Sequence, residues 1–377
     1  MQLLGGSPEL RHFKRRLAAH RPKSHDAAAI LGYEFAGRYE RPGDHSDRLF
    51  FVPDDTLLVD EASYLGIRSP HDLYGGVAPY RFAKTKAITH GLVDCRAERP
   101  RGWSTAFAER VREIVLLGYT AFSSCDARVA GKRMLGHGPF RVKKPFSASG
   151  KDQTLVTGLK ELDAVLEQLT ADEMTTYGLV LEENLRHVRT WSVGEVAVGG
   201  LKLSYYGMQR IVRDNEGRPV YGGSDLVCVR GGWKALAALP MPAAVGTAVA
   251  AARCYDAATE EFPGFMASRR NYDVVQGIGA DGHARSGVLE PSWRVGGASS
   301  AELAALVAFA RDPSLHIVRA SHVEEYGKDC RAPADAIVEF QGNDPEAGPL
   351  LRYTVVKPQS RRLPQMLRTL RTPELIQ

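Results

Sequence analysis

The sequence predicts a mixed α/β protein, of α+β type, built in several lobes. Three observations predict it. From residue 49 onward, apolar strand-like segments alternate with segments whose apolar residues recur every three to four positions. Between 186 and 233 the texture turns continuously β. The 377 residues, 44% hydrophobic and 25% charged, hold enough apolar surface for two or three compact units, which excludes disorder as the main theme.

The elements follow in order. LFFVPDDTLLVD (49–60) reads as a buried strand and then a helix that Asp54 or Asp55 caps. TKAITHGLV (85–93) leads into the Pro-rich stretch ERPRGWS (98–104), the first boundary. AFAERVREIVLLGYTAF (106–122) has helical spacing up to Gly118. FRVKKPFSASGKDQTLV (140–156) reads as strand, Ser/Gly loop and strand. Leu159, Leu162, Val165, Leu166 and Leu169 then define one amphipathic helix over 157–174. GLVLEENL (178–185) is a buried strand ending in two carboxylates, and the strands of 186–233 turn at Asn215-Glu216-Gly217. An Ala-rich helix spans 243–262. NYDVVQG and SGVLEPSWR pair across Ala280-Asp281-Gly282, and Ser299-x-x-Glu302 reads as a capping box opening a helix over 299–311. VRASHVEEYG, AIVEF and LRYTVV form a small strand-rich end piece. The expected division is an N-terminal α/β domain (1–100), a small subdomain (101–185), a large subdomain (186–312) and a C-terminal extension with a basic tail (313–377).

Net charge is +5, which could signal a nucleic-acid partner. Its placement argues otherwise. Residues 1–23 carry +5 and residues 357–377 carry +4, so the body between them is 5 less 9, or −4. No basic motif interleaved with aromatic residues accompanies the ends, and a nucleic-acid partner is not expected. The longest apolar runs fall well short of the roughly 20 residues of a membrane helix, so no membrane partner is expected. Cys95, Cys125, Cys228, Cys254 and Cys330 are odd in number, widely spaced and without a CxxC pair. They suit neither a zinc site nor a disulfide framework and read as reduced cytoplasmic thiols.

Three segments carry chemistry. In the first, Lys143-Lys144-Pro145 precedes Phe146-Ser147-Ala148-Ser149-Gly150-Lys151, a lysine at a strand end before a loop whose hydroxyls and amides can hold phosphate oxygens; an exposed hairpin would look the same. In the second, Leu179-Val180-Leu181-Glu182-Glu183-Asn184-Leu185 ends an apolar strand in acids suited to an adenine edge and ribose hydroxyls, or simply to solvent. In the third, strand alternation places Asp273 beside Glu290, with Ser292 and Arg294 further on. Two carboxylates there suit Mg²⁺, and the arginine suits a phosphate or carboxylate; a buried Glu–Arg pair is the structural alternative. His90 and His187 fit no triad or metal spacing.

In this order the three segments resemble the ATP-grasp superfamily, which shows a lysine with a flexible loop, a Glu-Glu hinge and a late Asp followed by Glu-x-Asn-x-Arg. They also resemble an uncharacterised bacterial family of that type. The resemblance covers roughly residues 84–297. It implies an ATP-grasp fold with an N-terminal α/β domain, and ATP and Mg²⁺ as cofactors. Lys86, with Lys84 as fallback, and Lys144 would touch phosphates, and Ser147, Ser149 and Gly150 would form a lid. Glu182, Glu183 and Leu185 would line adenine and ribose. Asp273, Glu290 and Ser292 would bind Mg²⁺, with Ser292 where the family has Asn and Asn271 where ligases commonly have Arg. Arg294 and Lys144 would be catalytic, while Tyr206, Gln209, Arg210 and Arg270 would hold the acceptor. The implied activity is joining a small-molecule carboxylate to an amine or thiol through an acyl phosphate; the oligomeric state is left open, a homodimer included. Phosphorylation of a small-molecule hydroxyl, or nucleotide binding without turnover, are the alternatives.

Overall fold

A computed structural model describes residues 23–35, 39, 49–145 and 153–360. The expected lid residues Ser147, Ser149 and Gly150 lie outside the described residues, as do 1–22 and 361–377 of the basic ends.

The strands form three sheets. β1 (Leu57–Leu58), β2 (Gly76–Ala78) and β10 (Met266–Ala267) make a small one in the order β1-β2-β10. The N-terminal segment is therefore stitched to a strand from far along the chain. The second sheet holds β3 (Gly118–Ala121), β4 (Phe140–Lys143), β5 (Gln153–Val156) and β6 (Leu179–Glu183), ordered β3-β6-β4-β5 and antiparallel throughout. The third is eight-stranded. Its members are β7 (Arg186–Val198), β8 (Leu201–Arg213), β9 (Pro219–Arg230), β11 (Arg269–Ile278), β12 (Ala284–Ser292), β13 (Ile317–Tyr326), β14 (Ile337–Asp344) and β15 (Gly348–Ser360), in the order β12-β11-β7-β8-β9-β13-β15-β14.

The helices are α1 (Val59–Tyr64), α2 (Thr105–Val111), α3 (Ser124–Leu135), α4 (Leu159–Leu166), α5 (Ala171–Tyr177), α6 (Trp233–Ala237), α7 (Ala243–Ala258) and α8 (Ser299–Arg311), with a further helical stretch at 23–31. Helix α7 covers one face of the eight-stranded sheet, where Trp191, Val193, Tyr206, Tyr272, Val274 and Val288 are buried. Helix α8 covers the other, over Val196, Leu203, Tyr205, Leu226, Val318 and Ala320. Each fully buried Val or Leu among them contributes roughly 1.5–3 kcal/mol by leaving water. Helices α3 and α4 close a third core on the four-stranded sheet through Ala130, Met134, Phe140, Val142, Leu162 and Leu181. Among the described residues no helix is long and apolar enough to cross a membrane.

Several expected elements differ, each for a physical reason. The helix expected from 106 up to Gly118 stops at Val111, because Gly118 itself opens β3, where Gly118–Ala121 pair with residues 182–179 of β6. Sheet pairing overrides the local helical period. The helix expected over 157–174 is two helices. Thr170 caps the second, its Oγ accepting from Glu173 N at 3.2 Å while the Glu173 carboxylate accepts from Thr170 N at 2.8 Å. The capping box at Ser299-x-x-Glu302 does not form: Ala298 is the N-cap, and the fully buried Glu302 is drawn to Arg269. Asp55 caps no helix and instead accepts from Lys84 at 2.7 Å. The strand-rich end piece is not separate, since residues 317–323 of β13 pair with residues 229–223 of β9 and extend the large sheet across residue 312.

Candidate active site

The two larger sheets meet around one short 3₁₀ turn, Lys86–Thr89. Thr85 starts it, its hydroxyl accepting from Ala87 N at 3.1 Å, and Thr120 of β3 fixes it by donating to Ala87 O at 2.7 Å. From this turn Lys86 reaches the large sheet, with Nζ 2.7 Å from Glu290 Oε2. His90, just past it, reaches the small sheet, with Nε2 3.0 Å from Glu182 Oε2. Lys84 points away to Asp55, so of the two lysines Lys86 is the one at the junction. Gly287 lets the sheets approach here, because a Cβ at that position would fall 2.6 Å from Leu116 N and 2.7 Å from Val115 C. Leu185 packs beside it with Leu116, Val275 and Leu289.

On the small sheet, Glu182 is buried between His90 and Lys143. Burial alone would raise its carboxyl. The Lys143 ammonium and the His90 hydrogen bond outweigh that and hold it down at about 2. Lys143, not Lys144, therefore pairs with this carboxylate, because alternation along β4 turns adjacent lysines to opposite faces. Lys144 is half-buried at the strand end, where the chain leaves toward 146. Glu183 points the other way, 3.3 Å from Arg285. Its carboxyl is raised, chiefly by burial, and its enclosed Oε2 has no donor among the described residues. An orphaned acceptor fits a hydroxyl or amino group of a bound molecule.

On the large sheet, Asp273 of β11 stands in direct register with Glu290 of β12, and Asn271 with Ser292. Asp273 accepts from Gln209 Nε2 at 2.9 Å, Asn271 Nδ2 at 3.1 Å and Ser192 Oγ at 3.2 Å. Burial first, and then the Glu290 charge, raise its carboxyl above the usual range. A hard divalent cation shared by Asp273 and Glu290 fits this electrostatics, with remaining oxygens supplied by water and phosphate. Among the described residues no cluster of three or more His, Cys, Asp or Glu side chains is arranged to hold a metal by itself. Ser292 does not fit as the third ligand, because Arg269 Nη1 lies 3.3 Å from its Oγ and brings a guanidinium to that oxygen. Arg294 follows β12, with Nε 4.0 Å from Asp55 Oδ1.

Arg269 had no role in the sequence reading and is, with Glu302 and Glu182, among the most enclosed charges near the site. It binds Glu302 through Nε and Nη2, both at 2.8 Å, and Nη1 lies 3.1 Å from Ser292 O. The hydroxyls of Tyr74 and Tyr205 lie 2.5 Å from the two Glu302 oxygens, and Tyr205 is also 2.8 Å from Asn271 Oδ1. A continuous polar chain thus runs from Glu302 through Tyr205 and Asn271 to Asp273.

Four residues were expected to hold the acceptor, and the structure separates them. Gln209 lies with Asp273. Gly207 registers with Ser192, so Tyr206 and Arg210 project from the opposite face. There Arg210 is held by Asp225, with Nη2 2.6 Å from Oδ1. Arg270 also faces that way, 3.0 Å from Asp256. His90, Lys143 and Ser192 are site residues that sequence reasoning missed. Only parity along β4 and β7 could have signalled Lys143 and Ser192, and no spacing marks His90.

Fold and site together define a mixed α/β protein with two sheets joined at a lysine–carboxylate junction. The chain belongs to the family described as "Protein of unknown function (DUF3182)", whose model matches residues 11–354. A search of curated proteins finds no match. Similar solved structures include the phosphoribosylamine–glycine ligase of Thermotoga maritima, with 15% identity, a TM-score of 0.48 and 90% of each chain covered. The D-cycloserine synthetase structure has 14% identity and a TM-score of 0.40, over 78% of this chain and 93% of that one. The D-alanine–D-alanine ligase of Bacillus anthracis, complexed with ATP, has 12% identity and a TM-score of 0.40, over 76% and 91%.

Proposed function

We propose that this protein is an ATP-grasp enzyme that uses ATP and Mg²⁺ to activate a small-molecule carboxylate and join it to an amine or thiol. The observation that carries the reading is the in-register pair Asp273 and Glu290, with Lys86 Nζ 2.7 Å from Glu290. Acids and a lysine from distant segments converge where nucleotide phosphates and a divalent cation would neutralise one another. Mg²⁺ held by Asp273 and Glu290 would draw charge from the phosphate oxygens. Lys86 and Lys144 would bind phosphate, Glu183 Oε2 would accept from a ribose hydroxyl, and Arg294 would orient an anionic group. In the reaction, a carboxylate oxygen bonds to the γ-phosphorus as the bond to ADP breaks. The amine or thiol then attacks the acyl carbon, phosphate leaves, and the nucleophile gives up a proton. The chain contributes positioning and charge neutralisation and no covalent nucleophile.

The test is calorimetric titration of ATP with and without Mg²⁺ in the wild type, Glu290→Ala and Lys144→Ala, followed by product analysis over pooled carboxylates and amines. ADP and free phosphate appearing with a condensed product support the ligase. A phosphorylated product without condensation would move the assignment to a kinase, and unchanged MgATP binding in both variants would remove the site.

A further inference from the structure

The face of the large sheet turned away from Asp273 carries its own cationic row. Arg319 of β13 stands in register with Val227 of β9 on one side and Lys357 of β15 on the other, and Val227 registers with Tyr206 of β8. Direct cross-strand partners share a face, so Tyr206, Arg319 and Lys357 project together. Two cations directly opposite each other destabilise a sheet unless something negative lies between them.

The neighbouring acids do not serve. Asp225 projects from the same face but is taken by Arg210 and by Ser321, whose Oγ lies 2.5 Å from Oδ1. Glu325, further along, accepts from the Tyr353 hydroxyl at 2.9 Å. Arg319 is half-buried, and its enclosed Nε has no acceptor among the described residues. Enclosed guanidinium donors are nearly always satisfied, so an orphan of this kind marks a place for an acceptor. The buried Tyr206, close enough for Arg319 to act on its hydroxyl, supplies a neutral donor, and the exposed Lys357 a second positive charge.

We infer that Arg319, Lys357 and Tyr206 form a binding site for the oxyanion of a small molecule, a phosphate or carboxylate group, distinct from the Asp273–Glu290 site. The guanidinium offers a fork matched to two oxygens, and the ammonium and phenol complete the charge and the hydrogen bonding. The two sites use opposite faces of one sheet, so a ligand here does not compete with nucleotide.

The test uses the full chain with inorganic phosphate and, separately, acetate as probes, at ionic strength held constant with sodium chloride. Melting temperature and calorimetry are read in the wild type, Arg319→Gln, Lys357→Gln, Tyr206→Phe and Lys86→Ala. The expected result is a saturable rise in melting temperature with one or both anions, which tells phosphate from carboxylate. Arg319→Gln should abolish the rise, Lys357→Gln should weaken binding about tenfold, and Lys86→Ala should keep it. A rise lost in Lys86→Ala but kept in Arg319→Gln places the anion at the nucleotide site and overturns the proposal, as does no rise with either anion. If Arg319→Gln does not fold, Lys357→Gln and Tyr206→Phe decide: wild-type anion binding in both overturns it. ATP titration of Arg319→Gln keeps this result separate from that of the nucleotide site, since binding there should be unchanged.

Discussion

Lys86 Nζ lies 2.7 Å from Glu290 Oε2, so a lysine from a short turn and a carboxylate from β12 neutralise each other across the meeting of two sheets. Lys86 therefore occupies a carboxylate that a metal would share. Replacing it by methionine should leave Asp273 and Glu290 as an uncompensated pair and strengthen binding of Mg²⁺ alone, while weakening that of MgATP. Calorimetry with each ligand checks this, and Mg²⁺ affinity no higher than in the wild type would argue against a shared cation site.

Asp273 behaves oppositely in stability and in function. Its folded carboxyl is raised by burial and by Glu290, so ionising it costs folding energy as pH rises through the raised value. Asp273→Asn should therefore be more stable than the wild type at pH 8, by about 1 kcal/mol for each unit of displacement, and the gap should be lost by pH 3.8, the ordinary value. Urea midpoints at the two values test it. The same variant should lose the Mg²⁺-dependent part of ATP binding.

Glu182 has the reverse sign. Its carboxyl is held at about 2 against an ordinary 4.5, so its stabilising contribution is complete above pH 4.5 and is lost as pH falls toward 2. Glu182→Gln should flatten the acid limb of stability between those limits, read by circular dichroism. An acid limb as steep as that of the wild type would mean that the Lys143 and His90 contacts do not set it.

Glu302→Ala should be among the most damaging changes away from the reacting groups. It strands the Arg269 guanidinium, which is fully enclosed, and leaves the Tyr74 hydroxyl without its acceptor, while the Tyr205 hydroxyl keeps Asn271 Oδ1. Breaking a buried pair on one side costs about 3–5 kcal/mol. Arg269→Met combined with Glu302→Leu should recover most of that loss, and a double variant no better than the single would assign the loss to packing. Urea unfolding of the single and double variants distinguishes the two.

How much of this was legible depended on period and parity. Asp273 and Glu290 were readable as lying on neighbouring strands of one hairpin, but their direct register comes from a bulge between Asp273 and Val274 that the turn alone does not signal. Lys86 was readable only through resemblance to a nucleotide-binding pattern. Parity defeated the rest: from sequence, Lys143 and Lys144 are equivalent, and so are Tyr206, Gln209 and Arg210. Which face of a strand meets the ligand is decided by its register with the neighbouring strand, as Gly207 against Ser192 decides it here. Glu302 was misread for a related reason. The capping pattern is local, whereas the buried guanidinium that claims the acid comes from β11, 33 residues earlier.

The turn Lys86–Thr89 has a mechanical consequence. Lys86 is tied to β12, and His90, four residues on, is tied to β6. Whatever pulls Glu290 away from Lys86 slackens one end of a tether whose other end is anchored on the small sheet. Events at the carboxylate pair can thus alter the set of one sheet against the other through five consecutive residues, two of which, Ala87 and Ile88, are packed in the core of the large sheet.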